Sequence, residues 1–345
     1  MKKRKKQKKG GRNILRIIGI ALLIIILGCC YVLFTPMARN GKQAYIYVDE
    51  DDNADSIYNK VTELATTHSA WTFRKLAALS GYGSNIRTGR YEIGKSGALM
   101  TLRHIRNGMQ APVSLTINSV RTVDRLAADI SKKMMFSKKE MLQVLENKDS
   151  CAKYGYSPET VIAMFIPNTY DLYWNISVSK FMDRMHKESK KFWTFERRQK
   201  ADAAKLSPNQ VMTLASIVDE ETANTAEMPK IAGMYINRLH IDMPLQADPT
   251  VKFATKQFEA RRIYNTMLQV DNPYNTYKYK GLPPGPIRVP SVSAIDAVLN
   301  YMHHDYLYMC AKEDFSGTHN FARTYEEHQQ NAARYAKALN ERGIK

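Results

Sequence analysis

The sequence predicts an α+β protein in which one apolar helix precedes a small module and a larger, mainly helical domain. The chain has 345 residues, enough for two domains, and 44% of them are hydrophobic, too many for a disordered chain. Residues 14–34 form one long apolar run. After it, strand-like segments alternate with helical patterns up to about residue 117, and helical patterns predominate beyond that point.

The apolar run, ILRIIGIALLIIILGCCYVLF at residues 14–34, carries a single charge at Arg16. At 1.5 Å per residue it extends over about 31 Å, which is the thickness of a bilayer core. The first sixteen residues contain nine Lys or Arg and no acid, and such a flank predicts a cytoplasmic N-terminus. We therefore expect a cytoplasmic tail over residues 1–13, a transmembrane helix over 14–34, and an extracytoplasmic remainder. This arrangement predicts a single-pass protein of the cytoplasmic (inner) membrane.

Two other interpretations of the N-terminus stay open. The segment ILGC resembles a lipoprotein-processing box that would leave Cys29 lipidated, although Leu27 is larger than that box usually allows. The lysine run also suits a nucleic-acid-binding tail. Because it directly abuts the apolar helix and accounts for half of the net charge of +18, we expect no nucleic-acid partner.

The small module is predicted over residues 44–117. Its predicted elements are, in order, the strand AYIYV, a helix over 54–65, a helix ending at Gly81, the strand GRYEIG, a helix ending at Gly108 and the strand PVSLTI. The larger domain is predicted over residues 118–345 and carries most of the helical patterns. Two of its segments lack a helical pattern: a structured loop around Pro167 and an irregular segment MPLQADPTVKFA.

Three consecutive acids stand at the end of an apolar helix in this domain. Ser207 and Pro208 start the helix. At 100° per residue, an apolar stripe forms one face, and Glu220 lies opposite it and is expected to be solvated. Asp219 lies off one side, and Glu221 lies at the edge of the stripe. Glu221 is therefore the acid expected to be partly desolvated, with a raised pKa suited to a general acid. The competing interpretation is an ion pair with a basic residue at the helix edge.

Cysteine and histidine spacing gives no sign of a cofactor. Cys151 and Cys310 are the cysteines outside the apolar run, and we expect two free thiols rather than a disulfide framework. There is no CxxC or zinc spacing in the sequence, and the HHD triplet at residues 303–305 lacks further ligands at suitable spacing. We predict neither a metal nor a cofactor.

Several longer motifs resemble the endolytic murein transglycosylase family, whose members are also called MltG or YceG-like. The segment LASIVDEETA resembles the family's active-site helix, A-S-I-[VI]-E-x-E-T. MYINRLHIDMPLQADPTV, YNTYKYKGLPPGPI, FIPNTY and the C-terminal YLYMCAKEDFSGTHNFARTYEEH are similar to further family segments. Asp219 departs from the usual Glu, and Asn168 departs from the usual Asp.

The resemblance implies a fold and a reaction. It implies a LysM-like module at 44–117 and a catalytic domain at 118–345. It also implies cleavage of the N-acetylmuramic acid β-1,4 N-acetylglucosamine bond within peptidoglycan strands, giving 1,6-anhydro ends. The catalytic Glu of the family carries over onto Glu221, because the second acid of the motif is retained there. Penicillin-binding synthases are the partners that the family implies.

The matched loops supply candidate substrate-binding residues, namely Gln246, Asp248, Asn275 and Tyr277. Each of these side chains could instead stabilise its own loop, and Asp248 could cap the turn before Pro249. His319 and Glu327 lie in matched positions for which structural roles are equally suitable. A hydrolase that uses Asp248 as a second carboxyl, and a wall-binding scaffold that does not cut, are the alternative functions.

Overall fold

A computed structural model describes residues 2–39, 41–260 and 263–343. The chain is mixed α+β and mostly helical, as predicted. It divides into two compact units: residues up to Ser114 together with Asp171–Ile176, and Leu115–Tyr170 together with Ser177 to the C-terminus.

Helix α1 (Lys2–Phe34) contains a candidate membrane span at Arg12–Phe34, with a mean hydropathy of 3.0. The side chains of this span are exposed along nearly the whole length. A helix of this length and composition is consistent with a single-pass anchor.

The remainder of the first unit contains short strands and helices close to the predicted positions. They are β1 (Ala44–Val48), α2 (Ala54–Leu64), α3 (Thr67–Leu79), β2 (Gly89–Ile93), α4 (Ala98–Asn107) and the start of β3 (Val113–Ile117). Strands β1 and β2 pair antiparallel, with Ala44 opposite Ile93. Gly108 ends α4 in the left-handed conformation at φ 70°, which explains why glycine stands at this position.

The second unit is built mainly from helices. Its elements after β3 are α5 (Val123–Ser131), α6 (Lys138–Leu145), α7 (Lys148–Ala152), a 3₁₀ turn (Val161–Met164), β4 (Asn168–Leu172), α8 (Val178–Phe192), α9 (Phe195–Ala203), α10 (Pro208–Glu221), α11 (Met228–His240), α12 (Asp248–Thr255), α13 (Asn265–Leu268), α14 (Val292–Leu299), β5 (Tyr308–Ala311), β6 (His319–Ala322) and α15 (Tyr325–Glu341). β3 and β4 form one two-stranded sheet, and β5 pairs antiparallel with β6.

Helix α10 is the central helix of this unit. It begins at a capping box in which Ser207 and Gln210 exchange side-chain and backbone hydrogen bonds, with Pro208 at the first helical position. It packs against α9, α11, α12 and α14. All residues from Val211 to Val218 are buried, so the helix is surrounded by protein rather than presenting a single apolar face.

Two segments differ from the sequence-based expectation. The segment MPLQADPTVKFA was predicted to be irregular, but its second half forms α12, which Pro249 helps to start because proline suits the first turn of a helix. The segment around Pro167 was predicted to be a loop, yet residues from Asn168 onward form β4. In both segments proline stands at or just before the start of an element, where it does not interrupt regular structure.

Candidate active site

A cavity of about 410 Å³ opens in the second unit at the C-terminal end of α10. Its walls come from α10, α11, the loop before α12, the loop that contains Tyr277, the β5–β6 hairpin and the start of α15. The lining residues are Glu221, Met234, Tyr235, Arg238, Leu245, Gln246, Asp248, Tyr277, Tyr308, Met309, Cys310, Ala311, His319, Tyr325 and His328. Glu221, Gln246, Asp248 and Tyr277, which lie far apart in the sequence and were each predicted as site residues, therefore line one cavity.

Glu221 is the last residue of α10, and its carboxyl group faces this cavity. Tyr235 on α11 donates a hydrogen bond from Oη to Glu221 Oε1 across 2.5 Å. Burial raises the pKa of Glu221 to about 7; the Tyr235 hydrogen bond opposes this rise, and the negative charge of Asp248 adds to it. Among the described residues, Glu221 forms no salt bridge. The carboxyl group can therefore be protonated near neutral pH.

The two neighbouring acids have different surroundings. Glu220 was predicted to be solvated, but its side chain is only 13% exposed. Arg121 donates to both of its oxygens, from Nε to Oε1 (2.7 Å) and from Nη2 to Oε2 (3.0 Å), and Arg288 Nη1 donates to Oε1 across 3.0 Å. The prediction was wrong because it assumed one buried face on α10, whereas the helix is enclosed on several sides.

Asp219 is still less exposed and links α10 to the start of α14. Its Oδ2 accepts a hydrogen bond from Ser291 N (3.0 Å), and its Oδ1 accepts one from Ser291 Oγ (2.7 Å). Arg288 Nε lies 3.3 Å from Oδ2. The shorter side chain at position 219 is thus held in a structural network of hydrogen bonds and an ion pair.

Three of the predicted substrate-binding residues surround the cavity mouth. Asp248 is exposed and accepts a hydrogen bond at Oδ1 from Tyr277 Oη across 2.6 Å. Burial raises the pKa of Tyr277, so the phenol stays protonated and can donate this bond. Gln246 is exposed and has a left-handed backbone (φ 47°). Its backbone N–H donates to Thr276 O across 3.1 Å, and the residue lines the cavity.

Asn275 does not line the cavity, contrary to its prediction as a substrate-binding residue. It is fully buried, and its Nδ2 donates to Leu268 O (2.8 Å) and Val270 O (3.0 Å). Its Oδ1 accepts from Tyr277 N across 3.1 Å. A side chain whose donors and acceptor are used in this way holds the loop that carries Tyr277 and has no access to a ligand.

Tyr235 and Arg238, which lie three residues apart on α11, also line the cavity and were not predicted as site residues. Tyr235 is 2% exposed, and burial raises its pKa well above the usual value. Arg238 is 7% exposed; its Nε donates to Leu307 O and its Nη1 to Leu245 O, both across 2.6 Å. Both follow Ile231 at helical spacing, so a helical projection of α11, like that made for α10, could have revealed a tyrosine and a cation on a buried face.

His319 also lines the cavity, and an acid outside the predictions holds it in place. Glu227 Oε1 accepts a hydrogen bond from His319 N (2.8 Å), and Glu227 Oε2 shares a second one with His319 Nδ1 (2.9 Å). Glu327, by contrast, completes the capping box of α15 with Thr324 and has a structural role. Among the described residues, no group of three or more His, Cys, Asp or Glu side chains could hold a metal ion.

The remaining predicted groups have structural environments. Within the HHD triplet, His304 is bound on both ring nitrogens, Nε2 lying 2.9 Å from Lys230 O and Nδ1 accepting from Tyr306 N across 3.1 Å. Cys151 and Cys310 are free thiols, as expected. Cys151 is fully buried, whereas Cys310 lies on β5 in the wall of the cavity.

Comparison with known proteins gives a consistent set of relatives. The model of the YceG-like family matches residues 46–334. The endolytic murein transglycosylase of Bacillus subtilis is 31% identical over 244 residues, which cover 66% of each chain. That of Streptococcus pneumoniae R6 is 26% identical over 353 residues, which cover 90% of this chain and 62% of the relative.

A crystal structure of a yceG-like protein from Listeria monocytogenes has a similar fold. Its TM-score is 0.55 at 26% identity, covering 84% of this chain and 99% of the other. The chain spans 62–66% of the length of the curated relatives it matches. Because the family model covers most of the sequence, including every residue of the cavity, the chain belongs to the YceG-like family.

Proposed function

We propose that this protein is a membrane-anchored endolytic lytic transglycosylase, a carbon–oxygen lyase that cleaves within peptidoglycan glycan strands. The observation that carries the proposal is Glu221, a carboxyl group with a pKa of about 7 in a cavity, adjacent to two acids that are paired with arginine. The curated relatives named endolytic murein transglycosylases and the family membership support the same activity.

In the proposed reaction, Glu221 acts twice. Protonated Glu221 donates its proton to the O4 leaving group as the bond from muramic C1 breaks. The resulting carboxylate then accepts the proton of the C6 hydroxyl, which attacks C1 and closes the 1,6-anhydro ring. The sugar supplies its own nucleophile, so the two carboxyls of an ordinary glycosidase are reduced to one. No cofactor takes part.

Tyr235 is well suited to support both steps. Its hydrogen bond at 2.5 Å fixes the orientation of the carboxyl group and favours the carboxylate that forms after the first proton transfer. Arg238, a buried cation in the same wall, also favours negative charge at Glu221. The pKa of Glu221 reflects the balance between these groups and the burial that favours the neutral acid.

The cavity offers polar and aromatic groups to a glycan strand. We propose that Gln246, Asp248 and Tyr277 bind sugar hydroxyl or amide groups at the mouth. Tyr308 stacks on His328 at 5.4 Å between ring centroids, and this pair forms an aromatic wall on which a sugar ring can lie. Orientation by a few polar groups against an aromatic wall is the usual design of a ligand pocket.

We propose that α1 anchors the chain by a single pass with its basic end in the cytoplasm, so that the catalytic domain works close to the membrane. The divisions at 1–13, 14–34, 44–117 and 118–345, and the LysM-like nature of the small module, belong to this proposal. An antiparallel strand pair flanking two helices supports a compact module at 44–117. Peptidoglycan synthases of the penicillin-binding class are the proposed partners.

Product analysis with a variant pair tests the activity. The purified wild-type chain should release fragments with 1,6-anhydro ends from peptidoglycan, as identified by mass spectrometry. Glu221→Gln keeps the size of the side chain but cannot donate or accept the proton, and we expect turnover to fall by at least about 100-fold. Glu220→Gln is the matched control, since its carboxylate faces Arg121 and Arg288 rather than the cavity. Equal product release by wild type and Glu221→Gln would refute the enzyme assignment.

A hydrolytic muramidase is the second candidate, because Asp248 is a second carboxyl on the same cavity and raises the pKa of Glu221. In this reaction Asp248 would activate a water molecule, and the products would carry reducing ends instead of anhydro ends. The same mass spectrometry distinguishes the two reactions. A chain that binds peptidoglycan and releases neither product would be a wall-binding scaffold.

A further inference from the structure

One face of α3 is not used by the core of the first unit. Ala70 and Phe73 are buried in that core, and Leu76 and Ala77 pack against it. The opposite face is exposed and consists of Thr67, Trp71, Arg74, Lys75, Ala78 and Leu79. At 100° per residue these positions cover an arc of about 140°, so they form one continuous surface. We refer to these six residues as the α3 outer face.

The α3 outer face contains two large apolar side chains that the fold leaves in solvent. Trp71 is 56% exposed and Leu79 is 85% exposed. Lys75 Nζ lies 5.7 Å from the centre of the Trp71 ring, and Arg74 lies one residue away on the same surface. A single exposed apolar residue needs no explanation. An explanation is needed for a tryptophan and a leucine that lie beside two cations on a helix whose opposite face is already buried.

The first turn of α3 is joined to the end of the candidate membrane span. Thr66, the N-cap of α3, donates from its backbone N–H to Met37 O across 2.8 Å. The ring of His68 lies 5.6 Å from that of Tyr31, which belongs to the last turn of α1. Because Tyr31 stands three residues before the end of the apolar run, this contact brings α3 to the level at which the span leaves the bilayer.

A glycine allows α1 and α4 to approach closely and fixes this junction. A Cβ on Gly97, the N-cap of α4, would lie 2.5 Å from the Cα of Phe34. Met37 N also donates to Ser96 O across 3.2 Å. The chain that leaves α1 is therefore bound on both sides, by the start of α3 and by the start of α4, and does not form a loose linker.

We propose that the α3 outer face lies in the headgroup layer of the membrane that α1 spans, with Trp71 and Leu79 at the acyl boundary and Arg74 and Lys75 on anionic headgroups. The chemistry is that of an interfacial helix, which has aromatic and aliphatic residues below and cations at the phosphate level. The inference rests on the anchoring part of the proposed function and is independent of its catalytic part. It implies that the first unit is held against the bilayer.

Tryptophan fluorescence in vesicles tests the proposal. The full chain is reconstituted into phosphatidylcholine vesicles containing phosphatidylglycerol, with lipids that carry a quencher at the headgroup or deep in the acyl chain. The chain contains three tryptophans: Trp71, Trp174 and Trp193. We expect headgroup-level quenching that is largely lost in Trp71→Phe and retained in Trp174→Phe. Reversing both charges with Arg74→Glu and Lys75→Glu should reduce the quenching, and added salt should do the same for the wild type.

Vesicle flotation separates the failure of the anchor from the failure of the α3 inference. If the wild-type chain does not float with vesicles, the anchor is refuted and the α3 inference falls with it. If the chain floats and the lipid-borne quenchers affect wild type and Trp71→Phe equally, the anchor stands and the α3 inference is overturned. The α3 outer face would then be available to a protein partner. Transglycosylase activity is measured separately, so a result on α3 does not decide it.

Discussion

The C-terminal end of α10 has two sides, and carboxylates on the two sides have different environments. On one side, Asp219 and Glu220 share Arg288, and Arg121 adds a bidentate pair to Glu220. On the other side, Glu221 receives one hydrogen bond from a tyrosine and faces a cavity. The three acids are consecutive in the sequence, and the one that faces the cavity, Glu221, has its pKa raised to about 7 by burial.

This difference shows what makes a carboxyl group suitable for chemistry. The side chains of Asp219 and Glu220 are only 9% and 13% exposed, and both carboxylates have arginine partners. Paired cations and backbone donors compensate the cost of burying their charge. Glu221 forms no salt bridge among the described residues, so the cost of burial falls mainly on its charged form.

The largest expected effect on stability comes from the arginine side. Arg288→Met leaves two mostly buried carboxylates short of a cation and should lower the free energy of unfolding by about 4 kcal/mol. Chemical denaturation at neutral pH measures it. Arg125→Met is the control, because Arg125 is 64% exposed in its pair with Asp129 and should change stability by less than about 0.5 kcal/mol. Similar losses in both variants would mean that the Asp219–Glu220 network adds little.

The next effect is a gain in stability on the cavity side. The folded pKa of Glu221, about 7, lies above its ordinary value of 4.5, so the folded state holds the proton more tightly than the unfolded chain. The stability from this group is fully present below pH 4.5 and is lost as the pH rises through 7. Glu221→Gln should therefore stabilise the protein at pH 8 by about 3 kcal/mol, since each pKa unit corresponds to about 1.4 kcal/mol.

Denaturation curves at two pH values check this prediction. The gain from Glu221→Gln should vanish near pH 4, where the wild-type carboxyl is protonated in both states. Glu220→Gln should instead destabilise at pH 8, because it weakens the pairs with Arg121 and Arg288. If Glu221→Gln is less stable than the wild type at pH 8, then other groups in the folded protein stabilise the ionised carboxyl of Glu221.

A smaller effect is expected in the pH dependence of turnover. A general acid with a pKa of about 7 makes kcat/KM fall as the pH rises above 7. Tyr235→Phe removes a hydrogen bond that favours the carboxylate, so the pKa of Glu221 rises and the alkaline limb moves to higher pH. If the alkaline limb of Tyr235→Phe stays at the same pH as that of the wild type, Glu221 is not the titrating group.

The smallest effect is the opposite shift in Asp248→Asn. Asp248 raises the pKa of Glu221 through its negative charge, so the amide should move the alkaline limb to lower pH. Asp242→Asn is the control, since Asp242 is an exposed acid that pairs with Lys280 and does not line the cavity. In the Asp248→Asn variant we do not expect reducing ends to replace the anhydro products. If the wild type instead releases reducing ends and Asp248→Asn releases none, the muramidase alternative is favoured.

The sequence predicted secondary structure best where local signals agree. Capping residues, helix-stopping Gly108 and alternating strands gave the elements of the first unit to within a few residues. The helix α12 was missed because its apolar residues are few and its start carries a proline. The raised pKa expected for Glu221 from its position at the edge of the apolar stripe is found in the structure, where burial raises it to about 7. The prediction that Glu220 is solvated was wrong, because it assumed that α10 is a surface helix with one buried face.

The site residues divide in the same way. Gln246, Asp248 and Tyr277 were found as polar members of unusual loops, and all three line the cavity. Asn275 is chemically similar and stands two residues from Tyr277, but only the fold reveals that its amide is used by backbone groups. Tyr235 was missed because a tyrosine within an apolar helix looks like an ordinary core residue until its hydroxyl is seen to face a carboxyl group.

By itself the sequence determined the apolar segment at the N-terminus, the helices that carry clear caps and periodicity, and a family resemblance strong enough to single out Glu221. These are local or contiguous properties, and they can be read without knowing what packs against them. The tertiary structure decided which acids meet arginines, which loop residues face the cavity, and that α3 begins beside the end of α1. Each of these depends on residues that are distant in the chain. A carboxyl's pKa depends on burial and on neighbouring charges, and both are set only when the chain has folded.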